Sequence, residues 1–149
     1  MVTTRCAVPG DVDVLRAIAA AAYRQYIPRI GQRPAPMTAD YAQAVRDRQA
    51  WAAIENGAIV GFAILIPQPG CLLLDNVAVR PAAQGRGVGT RLLALAEDHA
   101  RRLGLSEIRL YTNEAMTENL AYYLRHGYAE THRAEQDGFH RVFFRKLIS

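Results

Sequence analysis

The chain has 149 residues, half of them hydrophobic and 21% charged, with 18 Lys and Arg against 14 Asp and Glu for a formal net charge of +4. This composition excludes a disordered polymer and predicts one globular domain over residues 1–149. No apolar run reaches the roughly 20 residues of a membrane span, and Met1-Val2-Thr3-Thr4-Arg5 leads into Pro9-Gly10-Asp11 without the apolar stretch of a secretory leader.

The basic excess is mostly arginine, dispersed among acidic residues, and no zinc-finger, helix-turn-helix or aromatic RNA-binding signature accompanies it. An anionic cofactor with several phosphates explains the excess as easily as nucleic acid does, and no nucleic-acid partner is expected. Cys6 and Cys71 fit no metal spacing and read as free thiols of a cytoplasmic protein.

Thr3 to Val8 alternates weakly and predicts a first strand. Pro9-Gly10-Asp11 is a turn, with Asp11 as N-cap of a helix whose apolar face carries Val12, Leu15, Ile18, Ala19, Ala22 and Tyr26. In the segment from Tyr26 to Thr38, Pro28, Pro34 and Pro36 exclude a continuous helix. Thr38 is expected to cap a second helix carrying Tyr41, Ala42, Val45 and Arg48. Trp51–Glu55 and Ala58–Ile66 form a hairpin about Asn56-Gly57, the strongest two-residue turn signal in the chain. Gly61, inside the second of these strands, marks a bulge or a close backbone approach.

After the turn Pro67–Gly70, Leu72 to Val79 reads as a buried central strand. A loop with Gly85, Gly87 and Gly89 follows, and from Val88 the spacing of Val88, Leu92, Leu95, Ala96, His99 and Leu103 is helical. Arg101 and Arg102 suit the negative end of that helix and Gly104 its stop. Ser106–Thr112 is the next strand, and Thr117 or Glu118 opens a helix that ends at Gly127. Tyr128–Arg133 and Phe139–Leu147 form the last pair of strands, joined at Gln136-Asp137-Gly138. The order β-α-α-β-β-β-α-β-α-β-β predicts an α/β (α+β) mixed sheet, antiparallel in its first half, with one parallel crossover at the central helix.

Strand, glycine loop and helix make a geometry that binds phosphate. A helix N-terminus leaves backbone N–H groups unpartnered and adds partial positive charge, and glycines let a ligand approach the main chain. Arg86 adds a charge beside the loop. A dinucleotide fingerprint would need a third glycine where Thr90 stands, and a Walker loop would need Gly-Lys-Ser/Thr.

Gln84-Gly85-Arg86-Gly87-Val88-Gly89, after Asn76-Val77-Ala78-Val79 and Pro81, resembles the acetyl-CoA-binding motif Gln/Arg-x-x-Gly-x-Gly/Ala of the GNAT superfamily of N-acetyltransferases. Gln84, Gly87 and Gly89 match its fixed positions, and the order of elements is similar over nearly the whole chain. The resemblance implies a GNAT-like fold with a splayed central sheet and acetyl-CoA as co-substrate. It implies contacts to that co-substrate from Val77, Ala78, Val79, Gln84, Gly85, Arg86, Gly87, Val88, Gly89 and Thr90. Main-chain groups of Val77 and Val79 would meet the pantetheine amides like an added strand, and a backbone N–H would stabilise the tetrahedral oxyanion.

The stretch from Asn119 to Tyr128 is similar to the family's C-terminal signature, in which a tyrosine precedes a Gly-Tyr pair by four residues. Tyr123 matches that tyrosine, which implies that it protonates the departing thiolate. Its neighbour Tyr122 points about 100° away on a helix and reads as packing. Where the family often carries a pantetheine-contacting asparagine, this chain has Met116, and Asn119 or Asn113 is the nearest substitute. Asp75 matches the neighbourhood of the family's general base and lies in an apolar run, where desolvation suits a group that must take a proton. Glu114, His126, His132 and His140 are the alternatives.

The segment between the first two helices often contacts the acceptor in this family, which implies roles for Tyr23, Tyr26, Arg29 and Arg33. Arginines there suit an acceptor with a carboxylate or phosphate. The implied activity is transfer of an acetyl group to a primary amine by direct attack, with a small molecule or a peptide as acceptor and no metal. Neither cysteine sits near the motifs to carry the acetyl group. A homodimer through the C-terminal strands is a further expectation from the family. The competing readings are a non-catalytic acyl-CoA-binding sensor and a dinucleotide-type enzyme.

Overall fold

The computed structural model describes residues 1–149. Its elements in chain order are β1 (Thr3–Cys6), α1 (Val12–Tyr23), α2 (Ile27–Ile30), α3 (Tyr41–Arg46), β2 (Ala50–Glu55), β3 (Ala58–Gln68), β4 (Cys71–Val79), α4 (Val88–Arg102), β5 (Glu107–Asn113), α5 (Thr117–Arg125), β6 (Ala129–Gln136) and β7 (Phe139–Leu147). The strands form one seven-stranded sheet in the order β1-β2-β3-β4-β5-β7-β6. β1 to β4 are antiparallel neighbours, β4 and β5 are parallel, and β5, β7 and β6 are antiparallel again.

The helix α4 forms for reasons visible in its spacing. Val88, Leu92, Leu95, Ala96 and Ala100 recur at three- and four-residue steps and are buried against one face of the sheet. Each buried Leu contributes about 1.5–3 kcal/mol. His99, Arg101 and Arg102 sit in its last turn, and Gly104 stops it with φ +73°. On the opposite face, Leu15, Ile18, Ala19 and Tyr23 of α1 pack with Tyr41 and Val45 of α3 over Ala52, Phe62, Ile64 and Ala78. Gly61 of β3 permits the close approach expected there. A Cβ at that position would lie 2.8 Å from the Ala78 carbonyl oxygen and 3.2 Å from Val88.

The feature that positions the site is in β4. Ile64 of β3 stands opposite Asn76 and its neighbour Leu65 opposite Leu74, so Asp75 is the extra residue of a β-bulge. The bulge turns the strand over. Leu72 and Leu74 face the α4 side, whereas Ala78 faces α1 and Val77 and Val79 return to the α4 side. Parallel pairing to β5 is confined to Leu72 with Ile108 and Leu73 with Arg109, before the bulge. Beyond it the two strands part, because a bulge bends and further twists the strand that carries it.

The segment between the first two expected helices differs in detail. Pro28 lies in the first turn of the short helix α2, where a missing N–H costs nothing, and Gly31 ends that helix with φ +82°. The cap of α3 is Asp40, not Thr38. The Asp40 carboxylate accepts the Gln43 N–H at 3.0 Å, while Thr38 closes a preceding 3₁₀ turn by donating to Ala35 C=O at 3.3 Å. α3 ends at Arg46, so Arg48 lies outside it, with φ +57°. Asp11 holds the N-cap position of α1, but its carboxylate reaches back to the Val8 N–H at 2.8 Å and to Arg5 at 2.7 Å.

Candidate active site

One wall of the candidate site is made of main chain. Gly85 and Gly87 have φ of +79° and +87°, the left-handed region that favours glycine. No atom lies within 4 Å of the position a Cβ would take on either residue. The first backbone bond of α4 runs from the Arg91 N–H to the Gly87 carbonyl at 3.0 Å, and no side chain caps the helix. The N–H groups of Val88, Gly89 and Thr90 are therefore free to meet an anion at the positive end of the helix. Gly89 is small for a separate reason: a Cβ there would stand 2.6 Å from the Tyr122 hydroxyl. Tyr122 thus props the first turn of α4, and its hydroxyl is buried. Arg86 pairs with Glu55 at 2.8 Å, which draws its charge toward the β2–β3 hairpin.

The second wall is the open edge of β4. The Arg80 N–H donates to the Val60 carbonyl, so Arg80, and with it Ala78, directs its main-chain groups to β3. By the alternation of a strand, Val77 and Val79 direct theirs to the side β5 has left. Two side chains reach those carbonyls: Tyr23 Oη donates to Val77 at 2.8 Å, and Gln84 Nε2 donates to Val79 at 3.2 Å.

The third part is a cavity of about 570 Å³ that meets this edge at Asp75, Asn76 and Val77. Its walls come from α1, the segment from Pro34 to Gln49, β4, the end of β5, α5 and the start of β7. Tyr123 of α5 lines it, and its hydroxyl has no hydrogen-bond partner in the protein. Burial pushes the Tyr123 hydroxyl well above the ordinary tyrosine value, so it stays protonated in neutral solution. Asp75 is half-buried and accepts a hydrogen bond from Tyr111 Oη at 3.1 Å. Burial, reinforced by the Asp75 charge, pushes Tyr111 up to about 12. Tyr23 is raised by burial in the same way.

Behind Asp75 lies a buried polar chain. Asn76 Nδ2 donates to Tyr41 Oη at 2.7 Å, Tyr41 Oη donates to the Pro36 carbonyl, and Tyr23 Oη contacts Asn76 Oδ1 at 2.8 Å. These bonds tie α1, α3 and the proline segment to the bulged strand. Nothing in the spacing of Tyr41, Tyr111 or Arg141 marks them as neighbours of the site. Asn76 left one signal, a polar side chain inside an apolar strand.

The sequence-derived residues fall into three groups. Val77, Val79, Gln84, Gly85, Gly87, Val88, Gly89 and Thr90 line the loop and open edge, whereas Ala78 turns its main chain to β3 and its side chain into the α1 core. Tyr23, Asp75, Asn113, Asn119 and Tyr123 line the cavity, with Asn119 Nδ2 at 3.5 Å from both Thr112 Oγ1 and Met116 Sδ. Tyr26, Arg29 and Arg33 do not line it. Arg29 Nη1 instead pairs with Glu118 at 2.7 Å, and Tyr26 Oη reaches the same carboxylate at 3.3 Å, a strap from α2 to α5. The Arg29 guanidinium, joined by the Thr117 hydroxyl, holds the Glu118 carboxyl down at about 2. Glu114, His126, His132 and His140 also lie off the cavity; His132 stacks on Phe143, and His126 packs at a tilt against Tyr122.

The sheet is mixed and split, with a glycine-lined helix N-terminus on one side of the gap and a tyrosine-lined cavity on the other. The model of the acetyltransferase (GNAT) family matches residues 15–128. The chain belongs to the GNAT acetyltransferase family. The aminoalkylphosphonate N-acetyltransferase of Salmonella typhimurium (strain LT2) is 33% identical over 86 residues, which cover 54% of this chain and 56% of that protein. The mycothiol acetyltransferase of Jonesia denitrificans is 37% identical over 81 residues, covering 53% of this chain and 26% of that protein. The chain thus spans 56% or less of the length of these curated relatives. Among solved structures, the PaiA N-acetyltransferase from Thermoplasma acidophilum in complex with coenzyme A shares the fold with a TM-score of 0.81, at 17% identity and 99% coverage of each chain. YncA of Salmonella typhimurium, with acetyl-CoA, does so with a TM-score of 0.74 at 19% identity, over 100% of this chain and 95% of that one. No helix of the protein is long and apolar enough to cross a membrane.

Proposed function

We propose that this protein transfers an acetyl group from acetyl-CoA to a primary amine. One observation carries the reading. The open edge of β4 runs from the glycine-lined start of α4 to the cavity wall that holds Asp75 and Tyr123. The residues present fit the co-substrate: the free N–H groups of Val88, Gly89 and Thr90 suit its pyrophosphate, and the outward N–H and C=O groups of Val77 and Val79 suit its pantetheine amides. Gln84 and the Tyr23 hydroxyl would yield or share those two carbonyls. Asn119 and Asn113, each three residues from Met116, are the cavity-lining amides that would take the place of the usual asparagine, and Arg86 would leave Glu55 to reach a phosphate.

Acetyl-CoA supplies the acetyl group activated as a thioester. The amine enters from the cavity and loses a proton to Asp75 before or as it attacks. The C–N bond forms while the C–S bond breaks, and Tyr123 gives its proton to the departing sulfur. The ammonium's second N–H proton leaves the nitrogen for solvent as the amide forms, Asp75 also returns its proton to solvent and Tyr123 takes one back, so the net products are the N-acetyl amine, CoA thiol and one proton. Burial supports the role of Tyr123, because a hydroxyl held above its ordinary value remains a donor through neutral pH.

Thermal unfolding with acetyl-CoA, NAD and ATP tests the ligand. At about a hundred times its dissociation constant, acetyl-CoA adds about 2.7 kcal/mol, a rise of roughly 5–10 °C for a chain of this size. CoA thiol release with a panel of amines then tests the chemistry. A rise with NAD or ATP in place of acetyl-CoA overturns the reading.

A further inference from the structure

The cavity wall holds a mostly buried cation that its own protein satisfies only in part. Arg141 of β7 is on the cavity wall, opposite Asn113 of β5, and its side chain is 8% exposed. Its guanidinium carbon lies 4.3 Å from the centroid of the Tyr111 ring and 5.6 Å from that of Phe139. Only Nη1 has protein partners: it donates to Gln136 Oε1 at 2.6 Å and approaches the exposed Asp137 carboxylate at 3.5 Å. Nε and Nη2 have none. Those two nitrogens form the side-on fork by which arginine grips a carboxylate or phosphonate with two parallel hydrogen bonds. The guanidinium is mostly buried, yet these two donors are not sealed off, so they are open to an anion that enters the cavity.

Tyr111 links this cation to the proposed base. Its ring lies against Arg141, and its hydroxyl donates to Asp75. One tyrosine thus separates a carboxylate from a guanidinium within the same cavity. We propose that the acceptor is a small amine that also carries an oxyanion: Asp75 receives the ammonium end, and the free Nε–Nη2 fork of Arg141 binds the carboxylate or phosphonate end. This assignment rests on the acetyltransferase reading and narrows its acceptor class. It places the anion site on β7, not on Arg29 or Arg33, which lie outside the cavity. Asp40 and Asp47, also on the wall, put negative charge in the segment between α2 and β2. They would favour a polycation if Arg141 were spent elsewhere.

The test uses the full chain with saturating acetyl-CoA and reads CoA thiol release. Acceptors are compared in pairs that share an amine and differ in the anion: β-alanine with β-alanine amide, 2-aminoethylphosphonate with ethanolamine, and spermidine as the polycation. The anionic member of at least one pair should have a kcat/KM roughly 10- to 100-fold above its neutral partner, the size expected of hydrogen bonds to a charged group. Comparing the two pairs separates a carboxylate site from a phosphonate site. In Arg141→Met, and less completely in Arg141→Lys, the ratio within the preferred pair should fall toward one while the KM for acetyl-CoA is unmoved. Neutral amines or spermidine turned over as well as the anionic members, or a ratio unchanged in both variants, would overturn the acceptor assignment and leave the acetyltransferase reading standing. No thiol release with any amine, together with no thermal shift from acetyl-CoA, would overturn both. The paired comparison on the unmodified protein decides the matter even if the variants fold poorly.

Discussion

The two sides of the split between β4 and β5 are built from different material. On the α4 side, recognition is assigned to main chain: three free N–H groups at a helix start, two glycines with positive φ, and one open strand edge, all within residues 77–90. On the cavity side it is assigned to side chains, from Tyr23 and Tyr41 through Asp75 and Tyr111 to Tyr123 and Arg141. Main-chain recognition depends on backbone shape and tolerates changes of side chain that keep that shape. Side-chain recognition changes with each substitution. A fold organised this way can keep one shared ligand while the other varies.

The sharpest test of that division is the proton donor of the proposed mechanism. Tyr123→Phe should lower kcat about 10²- to 10³-fold, within the usual range for a positioned proton donor, and leave the KM for acetyl-CoA nearly unchanged. Its pH profile should agree. A donor must be protonated, and its folded value is raised above the ordinary tyrosine value of 10, so activity should hold as pH rises through 10 and fall only above it. An alkaline limb below pH 10 that disappears in Tyr123→Phe would place the hydroxyl in a wetter setting than the cavity wall.

On the main-chain side, Gly87→Ala forces a Cβ onto φ +87° at a cost of roughly 1–2 kcal/mol. About tenfold weaker acetyl-CoA binding, measured by calorimetry, should follow with little change in acceptor KM. An equal loss in acceptor KM would break the comparison. Asn76→Ala probes the opposite side. It removes the amide between Tyr23 and Tyr41, each of which keeps one other acceptor, so about 1 kcal/mol of stability should be lost. For this length that lowers Tm by roughly 3 °C. Acceptor KM should rise, because the Pro34–Tyr41 wall loosens, while the KM for acetyl-CoA stays put. The smallest effect belongs to Arg29→Ala. Its ion pair with Glu118 is exposed on both sides, so acceptor KM and stability should both be nearly unchanged. A large rise in acceptor KM would return Arg29 to the acceptor site.

The order of strands and helices, the central α4 and the glycine loop were legible in the residues themselves. Each depends on neighbours in sequence: apolar spacing at three and four residues, glycine where φ is positive, Asn56-Gly57 where two strands reverse. Such signals are short-range, and the backbone obeys them almost independently of the rest of the chain. The short helix α2 and the Asp40 cap escaped, because a proline-rich segment offers several local solutions and only its contacts with α1 and α5 choose among them. The bulge at Asp75 escaped too. It has no glycine to announce it, yet it turns β4 over and opens the gap from β5. The same bulge sets Asn76 between two tyrosines and Asp75 beside Tyr111. Those neighbours lie tens of residues apart, so only the assembled sheet, with the side on which each strand buries its apolar residues, decided that they meet.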